Sequence, residues 1–323
     1  MTKILGIGNA LVDALIQLED DSLLNELNLP KGSMQLVDSD KSSEIQDKSK
    51  GLKTEMASGG SAANTIHGLA KLGMETSFIG TVGKDENGNF FKTDLVKNNI
   101  SPLLIMSDSP SGVANTMISK DGERTFGTFL GAAIELSEDG IVEDLFKGHG
   151  LLHIEGYLVQ NHDLVKAILQ KAKSNGLKIS VDLASYNVVE DNLEFLQEMI
   201  SKYVDIVFAN EEEAKAFTGM EPEDALNSLA QLCETAVVKI GGEGSMIKTG
   251  DNIDIVKIDK LTPIDTTGAG DIYAAGFLYG YINNFSNKKS GELGSLLASN
   301  VIQVIGAKIS DEKWENIKPQ VNN

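Results

Sequence analysis

The chain has 323 residues, 41% hydrophobic and 23% charged, enough to bury about three quarters of its unfolded surface in an ordinary core. Twenty-eight Lys and Arg stand against 47 Asp and Glu, a formal net charge of −19. That field repels nucleic acid and anionic lipid and excludes a function built on a broad basic footprint.

The first residues, Lys3 to Gly8, read as a buried strand, and residues 12–18 and 33–37 as short strands. Gly60 to Leu72 places Ala63, Ile66, Leu69, Ala70 and Leu72 at helical spacing, and Gly73 stands where a C-terminal cap belongs. Strand 75–82 and helix 87–97 follow. Gly112 to Leu130 reads as a hairpin turning at Lys120-Asp121-Gly122-Glu123, since Asp-Gly supplies the positive φ of a tight turn. Then the rhythm becomes regular: strand 151–154, helix 162–175, strand 177–182, helix 190–201, strand 204–208, helix 211–217. Strands 235–240 and 245–248 precede helices 269–282 and 290–304. Such alternation predicts an α/β body, a mainly parallel sheet covered by helices on both faces. The pieces outside that rhythm, about 12–38 and 110–132, predict a small β-sheet lid inserted into one domain spanning 1–323.

Cys233 is the single cysteine, which fits a reducing, cytoplasmic setting. The four histidines form no zinc-binding pattern, and no run of 18 apolar residues predicts a membrane span. The expected partner is a small molecule, with neither nucleic acid nor membrane. The state is expected to be monomeric, or dimeric through exposed lid strands.

Several glycine-rich segments compete for the chemistry. Gly6-Ile7-Gly8 follows a strand, but Leu11 stands where a dinucleotide fingerprint needs glycine. No GxxxxGK[ST] occurs, and Gly59-Gly60-Ser61-Ala62-Ala63 lacks the last glycine of a hydrolase elbow. What remains is Asp265-Thr266-Thr267-Gly268-Ala269-Gly270-Asp271, opening a helix. Gly268, Ala269 and Gly270 fall in its first turn, where amides lack intrahelical partners and the dipole favours an anion. A carboxylate at Asp271 would be repelled by a bound phosphate. Its natural task there is to accept the proton of an attacking hydroxyl; the plain alternative is helix capping.

Asp265 to Asp271 resembles the C-terminal motif of the ribokinase-like (PfkB-type) family of sugar and nucleoside kinases. Four further segments agree in order. Gly8-Asn9-Ala10-Leu11-Val12-Asp13 resembles the first strand of adenosine kinases. Gly59-Gly60 with Asn64, Leu72-Gly73 and Gly80-Thr81-Val82-Gly83-Lys84-Asp85 resembles the N-terminal motif. Asn210-Glu211-Glu212-Glu213 is similar to the NxxE motif, and Gly241-Gly242-Glu243-Gly244 to the nucleotide-binding turn.

The resemblance implies a three-layer α/β/α fold and transfer of the ATP γ-phosphoryl group, with Asp271 as base and the amides of 268–271 as anion hole. It implies that Asn9, Asp13, Gly59, Gly60 and Asn64 hold a ribose-like ring, and that Arg124 reaches the phosphates when the lid closes. Asn210 and Glu213 would organise Mg²⁺ through water, although the pair also has capping-box spacing. Asp265 and Thr267, with carbonyls from about 301–306, would bind a monovalent cation such as K⁺. Asn210, Lys239, Gly241, Gly244, Gly268 and Gly270 fall on the ATP side; Lys239 reads equally as a flanking surface charge. Tyr157 and Leu158 are candidate neighbours of a nucleobase. The implied substrate is the primary hydroxymethyl of an adenosine-like nucleoside. A ribokinase- or fructokinase-type sugar substrate, or a catalytically silent sugar or nucleotide sensor, is the alternative.

Overall fold

A computed structural model of the chain describes residues 2–321. Its strands, in order, are Ile4–Ile7 (β1), Leu11–Gln17 (β2), Met34–Leu36 (β3), Thr54–Gly59 (β4), Thr76–Gly83 (β5), Ile100–Ser107 (β6) and Gly112–Ile118 (β7). Arg124–Phe129 (β8), Leu151–Glu155 (β9), Lys178–Asp182 (β10), Ile206–Asn210 (β11), Thr235–Lys239 (β12), Ser245–Thr249 (β13) and Asn252–Val256 (β14) complete the set.

Nine of them form one sheet in the order β14-β13-β12-β11-β10-β9-β1-β5-β6. It is parallel from β12 through β6, and only the β12–β13 and β13–β14 pairings are antiparallel. Ile4, Leu5 and Ile7 of β1 and Phe208 of β11 are wholly buried, as continuous apolar strands covered on both faces must be. The helix Ala269–Ile282 is buried nearly all round and packs against Asn287–Val301 and Ser61–Lys71. A helix apolar on every side belongs in the middle of a molecule.

The other five strands form a second sheet, β3-β8-β7-β2-β4, over the carboxyl ends of the large one. The hairpin between β7 and β8 turns where the sequence placed it. Gly122 alone takes positive φ (+85°), with Ser119 and Glu123 closing the loop, so the turn spans three residues and Asp121 stays right-handed. Thr54–Gly59 pairs with β2 from Leu11↔Gly59 to Ile16↔Thr54, so the small sheet draws on chain beyond residue 38.

Other elements differ from the sequence reading. The expected helix 190–201 is two, Tyr186–Asp191 and Leu193–Tyr203, separated at Asn192. Asn192 donates its side-chain amide back to the carbonyl of Val188, a local bond that competes with helix continuation. Helices Ser39–Lys48, Pro222–Leu229 and Asp311–Val321 and the strands β4, β6 and β14 were not anticipated.

Candidate active site

The strand order of the large sheet reverses at β1, which lies between β9 and β5. In open α/β sheets ligands bind beyond the carboxyl ends of strands at such a switch point. Here a cleft of about 1180 Å³ opens there, between the sheet ends and the lid. The strands place one polar residue each at its floor: Glu155 ends β9, Asp182 ends β10, Asn210 ends β11 and Lys239 ends β12.

Two helix starts meet across this floor. Gly60 has φ +98°, and a Cβ there would overlap the Asn9 carbonyl oxygen, so only glycine lets the chain turn into helix Ser61–Lys71 so close to β1. Opposite it, Gly268 (φ +72°) precedes helix Ala269–Ile282, where a Cβ would strike Ala307. Ile272 N–H makes the first helical bond, to Gly268 at 2.9 Å. The amides of Gly270 and Asp271 precede it as first-turn donors lining the cleft.

Asp271 receives hydrogen bonds from Ser61 Oγ (2.7 Å) and Asn64 Nδ2 (3.0 Å). Burial pushes its carboxyl up to about 6; the two hydrogen bonds and Lys239 pull the other way, and Asp182 adds to the rise. A carboxylate that titrates near neutrality suits a general base. Asp13 is likewise pushed up to about 6 by burial, against the pull of Lys308. Its carboxylate rests on Gly59, where any Cβ would collide with it.

Asn9 donates its backbone N–H (2.9 Å) and its Nδ2 (2.7 Å) to Glu155 Oε1, while the amide of Ala62 donates to Oε2 (2.9 Å). Burial pushes Glu155 up to about 7, although these donors favour its charged form. Glu155 thereby joins β1 to the start of helix Ser61–Lys71, and Gly8 is glycine because a Cβ would enter the carboxylate.

Asn210 and Glu213 form a reciprocal capping box: Glu213 N–H donates to Asn210 Oδ1, and Asn210 N–H and Nδ2 donate to the two Glu213 oxygens, all at 2.8 Å. Burial and the nearby Asp182 raise the Glu213 carboxyl. Among the described residues no three His, Cys, Asp or Glu side chains converge to hold a metal directly. Both Asn210 and Glu213 line the cleft, where Mg²⁺ would be reached through its waters.

Lys239 is not a surface charge. Its ammonium pairs with Asp182 at 2.8 Å and lies 2.9 Å from where a Gly270 Cβ would stand. Burial pulls it down, but Asp182 and Glu213 outweigh that and hold it at about 12. A permanent cation thus stands beside the helix start that would bind phosphate. Gly241 and Gly244 line the same end; Gly244 adopts φ +104° with the Val256 carbonyl where a Cβ would be. Tyr157 and Leu158 also line the cleft.

Three expected site residues lie off the cleft lining: Gly59, Arg124 and Asp265. Arg124 leaves the lid at the start of β8 and reaches the loop before Gly268, where Nη1 pairs with Asp265 Oδ1 and donates to Thr267 Oγ1 (2.6 Å). Asp265, expected as a cation ligand, therefore carries a guanidinium.

Glu155, Asp182 and Ser61 were missed from sequence. Glu155 and Asp182 share a signal: an acidic residue closing an otherwise buried strand, Leu-Leu-His-Ile-Glu and Lys-Ile-Ser-Val-Asp. Ser61 stands directly after a glycine pair at a helix start.

A carboxylate raised toward neutrality, a first helical turn of amides and a buried cation converging under a lid are the parts a small-molecule kinase needs. The pfkB family carbohydrate kinase model matches residues 32–314, and the chain belongs to that family. The structure is similar to an adenosine kinase from Sinorhizobium meliloti (32% identity, TM-score 0.86, 99% of each chain covered). It is also similar to a probable sugar kinase from Rhizobium etli (30%, TM-score 0.87, 99% of each). In sequence it is 26% identical to a ribokinase from Haemophilus influenzae, over 80% of this chain and 86% of that protein. The family implies ATP, usually with Mg²⁺. Among the described residues no helix is long and apolar enough to cross a membrane.

Proposed function

We propose that the protein transfers the γ-phosphoryl group of Mg-ATP to the primary ribose hydroxyl of a nucleoside, adenosine-like in kind. Asn9, Asp13 and Asn64 face the ribose, and Asp271 takes the proton of the attacking hydroxyl. The P–O bond to the β-phosphate breaks as the new ester forms, and ADP leaves. The amides of Gly270 and Asp271, with Lys239, meet the charge on the moving group. Gly241 and Gly244 flank the nucleotide.

The observation that carries the nucleoside reading is the wall beyond the sugar position. Leu11, Leu36, Phe126, Leu130, Ile134 and Leu136 line the lid side of the cleft, and Leu36 and Ile134 are 66% and 64% exposed. A free sugar carries hydroxyls all round and gains little from such a wall; a flat base does. Burying about 100 Å² of base surface contributes on the order of 2–3 kcal/mol, roughly a 30- to 150-fold preference over the bare sugar. The likeness to an adenosine kinase at 32% identity supports the same reading.

The test is phosphorylation with Mg-ATP across adenosine, other nucleosides, ribose and fructose. A nucleoside 5′-phosphate as the favoured product is expected. Preference for ribose or fructose would replace the nucleoside by a sugar, and no phosphate ester with any of them would overturn the kinase assignment of these residues.

A further inference from the structure

The Asp265 side chain is wholly buried and opens the loop that leads to the helix start at Gly268. Such a carboxylate needs donors and a compensating charge. It has both from within the chain. Oδ1 accepts the Thr267 amide (2.6 Å), Oδ2 accepts the Gly306 amide (2.5 Å), and the Arg124 guanidinium supplies the charge at Oδ1. The same Nη1 reaches Thr267 Oγ1, so the arginine is fixed at two points, and its side chain is only 13% exposed.

A monovalent metal ion at this place would compete for oxygens that already accept hydrogen bonds. The expected ion would take the Asp265 carboxylate and the Thr267 backbone together with main-chain carbonyls from about 301–306. Ile302 O accepts two amides, Ile264 (2.8 Å) and Asp265 (3.2 Å); Val301 O accepts Val304 N–H at 3.1 Å; Gln303 O accepts the Lys313 ammonium at 3.1 Å. A metal cation would also face the guanidinium on the same carboxylate oxygen. With both Asp265 oxygens and the carbonyls of 301–303 engaged, and a guanidinium already on Oδ1, the set does not fit K⁺.

We infer that Arg124 is the chain's own cation at Asp265, standing where a monovalent metal ion would otherwise neutralise the loop, so that the protein binds no K⁺ there and needs none. The consequence is mechanical as well as electrostatic. Arg124 pairs with Ile118 in the β7–β8 ladder, so its charge arrives with the lid sheet. A diffusible ion would leave the loop neutralised whether the lid was open or closed. Here closing the lid and neutralising the loop that carries the Gly268–Asp271 helix start are one event.

The experiment uses the full-length protein without nucleotide or substrate, so its outcome stands even if the nucleoside assignment fails. Thermal midpoints are compared in KCl and in choline chloride at equal ionic strength, and Tl⁺ binding is followed by ²⁰⁵Tl NMR. Wild type is expected to show equal midpoints and no saturable Tl⁺ binding. Arg124→Ala is expected to gain both a K⁺-dependent rise of several degrees and saturable Tl⁺ binding, and to lose them again when combined with Asp265→Asn. Arg124→Lys, which keeps a charge, is expected to stay indifferent to K⁺. Saturable Tl⁺ binding by wild type that Asp265→Asn abolishes would overturn the inference. So would an Arg124→Ala protein that folds and ignores K⁺. If that variant does not fold, the wild-type and Arg124→Lys measurements decide the matter alone.

Discussion

Ser61 Oγ donates to Asp271 Oδ1 at 2.7 Å across 210 residues of chain, joining the starts of two helices. This bond and that from Asn64 favour the charged carboxylate, while burial opposes it and wins, leaving Asp271 at about 6. Ser61→Ala removes one of the two. The acid limb of kcat/KM, expected near pH 6 in wild type, should move to higher pH by roughly half a unit to one unit. The plateau rate above pH 8 should fall by no more than about threefold, since the base is ionised there either way. Rate profiles between pH 5 and 9 check this; a limb that stays in place or moves down would separate Ser61 from the base.

Asp271→Asn is expected to lower kcat by at least about 100-fold with nucleotide and nucleoside affinities kept, because proton acceptance matters only in the transition state. A silent sensor would instead show no turnover to lose. The same change should stabilise the fold. Folded Asp271 holds its proton up to about pH 6 and the unfolded chain releases it near 3.8. Between those values the folded state binds the extra proton, so this group's contribution to stability is lost as pH rises through about 6. The amide avoids that loss, about 2–3 kcal/mol at pH 8, and its new N–H can meet Asn64 Oδ1, a buried acceptor without a partner. Midpoints of variant and wild type should differ by a few degrees at pH 8 and converge by about pH 4. A difference that grows toward low pH would reverse the sign of the argument.

Lys239 and Asp182 are 15% and 7% exposed and pair at 2.8 Å. Lys239→Met leaves a buried carboxylate alone, at a cost of about 3–5 kcal/mol. Adding Asp182→Asn should recover most of that stability, since both charges are then gone. It should not recover the KM for ATP, which is expected to rise at least about tenfold because no ammonium remains beside Gly270. Denaturation and steady-state kinetics on the three variants separate the two effects; recovery of nucleotide affinity in the double variant would place the phosphates elsewhere.

The body of the fold was legible because buried parallel strands leave short continuous apolar runs and amphipathic helices a spaced apolar stripe. Helix Ala269–Ile282, apolar on every side, has no such stripe, yet its bounds were read to the residue behind the glycine-rich motif that opens it. The lid was harder. β4 reads Thr-Glu-Met-Ala-Ser-Gly, exposed over its first half and nearly without alternation, so only its pairing with β2 makes it a strand. Helix Ser39–Lys48 buries only Ser42 and Ile45 and is equally faint. In the site, motifs near helix starts were visible because glycine and asparagine stand out at such places. Partners chosen by tertiary structure were not: nothing local to Arg124 names Asp265, and nothing in Lys239 reveals a buried ion pair.

Lys308 was also silent in the sequence, yet its ammonium is buried without a hydrogen-bond partner. Burial pulls it down to about 8, against the attraction of Asp94, Asp13 and Asp271. Asp94 is occupied by the Ser58 amide (3.1 Å) and hydroxyl (2.6 Å), whereas Asp13 faces the cleft and depends on Lys308 to stay as acidic as it is. Lys308→Met keeps an unbranched apolar stem in place and removes the charge, so the fold should survive. Asp13 should then hold its proton further up the pH scale and accept a substrate hydroxyl less well near neutrality. KM for the hydroxyl substrate is expected to rise about five- to tenfold at pH 6.5, with kcat changed by less than about threefold. Above about pH 8 Lys308 is itself neutral in wild type and Asp13 is ionised in both proteins, so the two should converge. Kinetics across this range decide between an electrostatic and a packing role: a KM defect of equal size at every pH would mean that Lys308 only fills space.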